Sequence, residues 1–144
     1  MTTRLPRAVR NNNPGNIDRT STAWQGEDRS AEARRREPRF AVFHAPEWGF
    51  RAIARTLRTY RERHGLVTVR GIINRWAPPN ENDTGAYVAV VARAVGVKPD
   101  DVVDVTKIAH AFPLVKAIAR HEAGGDYWPD DVIRRGLDLA GVSA

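Results

Sequence analysis

The chain has 144 residues, 42% hydrophobic and 28% charged, and a formal net charge of +6 carried almost wholly by arginine. That is enough chain for one domain, residues 1–144, with a real core, and the lack of cysteine excludes disulfides and thiolate metal sites. No run approaches the ~18 apolar residues of a membrane helix, and the stretch MTTRLPRAVRNNNPGN has charge but none of the apolar core of a secretory signal.

In chain order, RNNNPGNI (10–17) is turn chemistry, because Asn tolerates left-handed backbone and Pro-Gly is a turn dipeptide. Residues 18–38 are polar and charged and read as a surface lobe, and RFAVF (39–43) is the best strand candidate. PEWGFRAIARTLRTYRERHG places Phe50, Ile53, Ala54, Leu57 and Tyr60 on one helical face and stops at Gly65. Thr68 is suited to cap a helix through VRGIINRWA that Pro78-Pro79 ends, and Thr84 to start another through GAYVAVVARAVGV. Asp104–Ala109 suggests a turn, followed by a helix over 112–123 with Pro113 in its first turn. A last helix follows Pro129 and runs to about Ala140. The expected fold is mainly α: a helical domain with one small β element.

Within LVKAIARHEAGG (114–125), Leu114, Ile118 and Glu122 stand at i, i+4 and i+8, so a carboxylate ends an apolar stripe just before a helix-stopping Gly-Gly. A carboxyl partly withdrawn from water near a helix C-terminus favours its neutral form. A neutral acid is what protonation of a leaving-group oxygen needs. The competing reading is a helix-end side chain paired with Arg120 or His121. NRWAPPNENDTGAYVAVV gathers Trp76, Asn80, Asn82 and Tyr87 with Glu81 and Asp83 around a Pro-broken loop. Aromatic faces and amides suit sugar rings, whereas the plainer reading is a capping loop with its aromatics in the core.

Other chemistries have little to stand on. His44, His64, His110 and His121 are scattered, with no i, i+4 pair, so no metal site is expected. No serine-nucleophile motif or phosphate-binding glycine loop is present. Arg51, Arg55, Arg58 and Arg61 recur at helical spacing, which is usually a solvated face. Nucleic-acid binding therefore ranks last among the readings, with charge as its only support.

Three stretches in this order, RNNNPGNI, RFAVFHAPEWGFRAIARTLRTY and RWAPPNENDTGAYV, resemble the phage and prophage cell-wall-degrading proteins of the lysozyme-like superfamily. The resemblance implies an α+β lysozyme-like fold and cleavage of the β-1,4 glycan of peptidoglycan, without cofactor, as a muramidase, glucosaminidase or lytic transglycosylase. AIARHEAGG looks like the superfamily helix that ends in an essential glutamate, which would make Glu122 the catalytic acid. In those relatives the glutamate precedes a turn of the type N-x-F-G-I, whereas here NNPGNI stands near the start of the chain. The resemblance thus implies a circular permutation; joining the ends would put the turn about 34 residues after Glu122. Asn13, Asn16, Trp76, Asn80, Tyr87, His121 and Tyr127 become expected substrate contacts. Tyr87 matches a second tyrosine of the glucosaminidase pattern, and Trp76 stands where that pattern has its first. Glu37, Glu27 and Glu81 are the candidates for a second carboxylate.

The implied partner is bacterial peptidoglycan, met by a monomer carried in a phage virion or released from the host cytoplasm to the periplasm and wall. The alternative is a non-catalytic phage structural or wall-binding module of the same fold.

Overall fold

A computed structural model describes residues 4–80 and 82–144. Among the described residues seven helices succeed one another: α1 (Arg7–Arg10), α2 (Ala31–Arg36), α3 (Pro46–His64), α4 (Val69–Trp76), α5 (Thr84–Val95), α6 (Ile108–Ala123) and α7 (Asp130–Leu139). The mainly helical expectation holds.

α3 is the spine. Pro46 opens it where a missing N–H costs nothing, and Gly65 closes it at φ 63° with its N–H bonded to Arg61 O. Phe50, Ile53 and Leu57 are fully buried, each contributing roughly 1.5–3 kcal/mol of apolar burial. α7 lies along α3. Gly136 permits the approach: a Cβ there would collide with Phe50 Cβ and stand 2.8 Å from Glu47 O. α4, α5 and α6 complete the main core with Ile72, Ile73, Val91, Leu114 and Ile118. A smaller cluster of Ala41, Phe43 and Ala52, with Trp24 and Trp48 against it, joins the polar lobe to α3.

Several local expectations are corrected. RFAVF is not a strand: Phe40 and Phe43 make single antiparallel bridges, to Asp18 and Glu27, with no ladder between. The lobe over 18–38 contains a helix, α2, because Ser30 accepts from Ala33 N at 3.1 Å and caps it. α6 begins at Ile108 rather than 112, so Pro113 lies inside the helix and not in its first turn. The start at Ile108 is secured from outside the helix, by its N–H bonding Ser143 O at 2.7 Å. α5 does start at Thr84 as expected, capped by Asp83, and the Thr84 hydroxyl donates to Ala77 O at 2.6 Å. The caps at Thr68 and Gly65 and the arrest at Gly124 are as expected.

Candidate active site

The run Asn11-Asn12-Asn13 stitches the N-terminal turn to residues 37–43. Asn11 Nδ2 donates to Glu37, Asn12 Nδ2 to Phe43 O, and Asn13 Nδ2 to both Ile17 O and Ala41 O. Asn13 Oδ1 accepts from Ile17 N at 3.0 Å. With its amide fully buried and spent on backbone, Asn13 holds the turn and is no cleft residue, contrary to expectation. Asn16, at φ 46° in the left-handed region that Asn tolerates, is the residue the turn presents.

It meets Glu122. Asn16 Nδ2 donates to Glu122 Oε1 at 3.4 Å and lies 3.5 Å from the Glu122 backbone carbonyl, across 106 residues of sequence. The other carboxylate oxygen, Oε2, accepts from the Tyr87 hydroxyl at 3.1 Å. Tyr87 is buried, and its phenol pKa is pushed far up, first by burial, then by the charge and hydrogen bond of Glu122, with Trp76 pulling the other way. It therefore stays a hydroxyl donor at any ordinary pH. The alternative partners for Glu122 are engaged elsewhere: Arg120 pairs with Asp126 at 3.3 Å, and the His121 ring stacks on Tyr87 at 3.7 Å between centroids. Two neutral donors thus aim the Glu122 carboxyl. Asn16 Oδ1, beside it, is buried and has no partner among the described residues.

Glu122 lines a polar cleft of ≈ 510 Å³. Around it stand the 15–18 turn, Arg39 and Phe40, Thr56 and Tyr60 of α3, and Trp76–Pro78 with Asn82. Burial raises the Tyr60 phenol, Arg75 opposing.

Of the expected contacts, Asn16, Trp76 and Glu122 share the cleft, while Tyr87 reaches it only through the acid, as a buried donor and not a sugar platform. Asn80 is exposed and does not line it; Asn82, two residues on, does, with its amide on Pro78 O at 3.3 Å. His121 lines a different, apolar groove between α5 and α6, and Tyr127 is half-exposed with its ring edge against Trp128.

Two expected carboxylates are structural. Glu37 is buried and holds Arg7 at 3.0 Å, Asn11, and the backbone N–H groups of Arg39 and Phe40. Burial pushes its pKa up, but these partners outweigh that and hold it below the ordinary range. Glu27 is buried beneath Arg29 at 3.1 Å and accepts from Trp24 N. Glu81 lies outside the described residues. The carboxylate that does line the cleft with Glu122 is Asp18, exposed and paired with Arg39 at 3.2 Å. Sequence reasoning missed it although it stands two residues after Asn16, because it belongs to no periodic pattern. Among the described residues no three His, Asp or Glu converge to hold a metal, and no helix is long and apolar enough to cross a membrane.

The turn, the acid and the cleft can be set beside other proteins. No protein-family model matches the chain. Protein P5 of Pseudoalteromonas phage PM2 is 36% identical over 136 residues, which cover 92% of this chain and 80% of that protein. The chain belongs to the family of Protein P5. The matched span is long enough to take in most of the cleft. The P5 relative is a bacteriophage protein, in keeping with the phage association expected from the sequence.

Proposed function

We propose that this member of the P5 family is a peptidoglycan-cleaving glycosidase of lysozyme-like type, with the superfamily's order circularly permuted and Glu122 as general acid. The observation that carries the reading is the meeting of Asn16 and Glu122 across 106 residues. A permuted chain has to bring its N-terminal turn against its C-terminal glutamate helix in this way.

The chemistry follows from the groups in the cleft. Protonated Glu122 gives its proton to the glycosidic oxygen as the bond from the anomeric carbon to that oxygen breaks, leaving an oxocarbenium-like centre. Water then bonds to the anomeric carbon and returns a proton to the Glu122 carboxylate, leaving a reducing end. Attack by the sugar's own C6 hydroxyl returns the proton equally and leaves a 1,6-anhydro end. The Asn16 amide suits both states of the acid: Nδ2 donates to the carboxylate, and half a turn of the amide puts the unpartnered Oδ1 where it accepts the O–H of the acid. Asp18 is the second carboxylate in reach of the cleft, available to stabilise the positive centre or orient water. Trp76 offers an indole beside the polar groups, as sugar-binding clefts require. Acting from a virion, or after release from the host, the enzyme would meet the wall from the periplasmic side.

The test is digestion of purified Gram-negative peptidoglycan by the wild type and Glu122→Gln, with mass spectrometry of the products. Glutamine keeps the shape, accepts from the Tyr87 hydroxyl through its oxygen and donates its NH2 to Asn16 Oδ1 after half a turn of that amide. It has no acidic proton to give, so a rate loss of at least ~10²-fold with a nearly unchanged melting temperature is expected. Reducing or anhydro ends then name the product. A mutant with near-normal rate excludes Glu122 as the acid. Wall binding by both proteins with release by neither establishes the non-catalytic module instead.

A further inference from the structure

From the rim of the cleft a line of arginines leads away over Phe40. Arg39, itself a cleft residue, stacks its guanidinium 4.6 Å from the Phe40 ring centroid, and Arg7 of α1 stands 5.3 Å from the same centroid. Beyond Arg7 come Arg36 at the end of α2, whose Nη1 donates to Asn11 Oδ1 at 3.1 Å, and Arg10 at the end of α1.

The line is only partly neutralised. Asp18 pairs with Arg39 at 3.2 Å but is exposed, and Glu37 is already saturated by Arg7, Asn11 and two backbone N–H groups. Among the described residues Arg36 bonds a neutral amide and is in no ion pair, with Asp28 no nearer than its field, and Arg10 Nε is buried with no partner. Burial, and then the charges of Arg4 and Arg7, pull the Arg10 guanidinium below its ordinary pKa, Arg36 adding to this and Glu37 opposing it, so these groups sit within each other's field. Holding four guanidinium groups together with ion pairs to only two of them is unfavourable until a further anion joins them.

We propose that Arg39, Arg7, Arg36 and Arg10 form a carboxylate-binding strip, continuous with the cleft, that takes the acidic peptide stems carried by the glycan. This rests on the glycosidase reading for the identity of the polymer. Continuity selects the ligand: a chain seated at Glu122 projects its substituents beside the cleft, and in peptidoglycan those substituents are peptides bearing free carboxylates. Fork-shaped guanidinium groups match carboxylates two bonds at a time, which explains a line built wholly of arginine. The apolar groove between α5 and α6 does not compete, because it shares no lining residue with the cleft and two of its three cations, Lys116 and Arg120, are paired with Asp130 and Asp126.

The experiment measures binding of Glu122→Gln, by fluorescence anisotropy, to peptide-bearing glycan fragments and to the same fragments stripped of peptide by an amidase. Tighter binding to the peptide-bearing form is expected. The double variant Arg7→Gln/Arg36→Gln should weaken it roughly three- to tenfold and leave binding to stripped glycan unchanged. Because Arg7 also serves buried Glu37, the single change Arg36→Gln provides a second variant with a smaller loss, of which Arg36→Lys should restore only part, since lysine keeps the charge but not the fork. Equal affinity for the two fragments, or an equal loss on both, overturns the strip, as does duplex DNA displacing the peptide-bearing fragments at lower concentration than the free peptide. If wild type digests neither fragment while the arginine-dependent preference persists, the glycosidase reading fails and the strip stands.

Discussion

At the scale of single residues the carboxylates divide by what they touch. Glu122 receives two neutral donors in a polar cleft and keeps room for a ligand. Glu37 and Glu27 are spent on arginines and backbone, and so hold the lobe together. Glu37 carries a consequence for acid stability. Its folded pKa lies below the ordinary 4.5, so the unfolded chain takes up a proton first as pH falls. The stability it contributes is complete above that ordinary value and is lost as pH drops through the depressed folded one. Glu37→Gln should cost about 2 kcal/mol at neutral pH and flatten the decline in stability below pH ~4.5, which urea melts across the acid range would measure. A variant with the same acid slope as wild type would show that Glu37 does not drive it.

At the scale of elements, contacts from elsewhere in the chain override local propensity at several points. α6 starts four residues earlier than expected and tolerates Pro113, its start tied to the C-terminal segment at Ser143. The contact between α3 and α7 depends on the missing side chain at Gly136. An exposed helical Gly→Ala is stabilising by about 1 kcal/mol. Gly136→Ala should do the opposite and destabilise by about 1–3 kcal/mol, because Phe50 and the Glu47 carbonyl leave no room for the methyl group. A higher melting temperature for that variant would mean that α7 does not pack so closely on α3.

At the scale of the whole molecule, charge governs encounter. A +6 protein meeting an anionic wall is attracted over roughly the Debye length, about 30 Å at 0.01 M salt but only about 8 Å at physiological strength. On the proposed glycosidase reading, wall binding and turnover should therefore fall steeply between those two conditions, as sedimentation with sacculi at graded salt would show. Turnover that ignores salt over that range would remove the long-range attraction from the account.

The mainly helical class, the helix ends at Gly65 and Gly124, the cap at Thr68, the buried face of α3 and the place of Glu122 at the end of its helix were all legible in the sequence, because each rests on a spacing or a cap whose physics acts within a few residues. What no local pattern could state is which distant groups share a volume. Asn13 and Asn16 look alike in RNNNPGNI, yet one is consumed by the backbone and the other faces the acid. Asp18 had no signal of its own, and Glu37 and Glu27 looked as available as any surface acid until the fold surrounded them with arginines and N–H groups. Tyr87 passed from a presumed sugar platform to a buried donor for the same reason. Helical periodicity says which face turns inward. Only the packing of all the helices and the lobe decides what that face finds there.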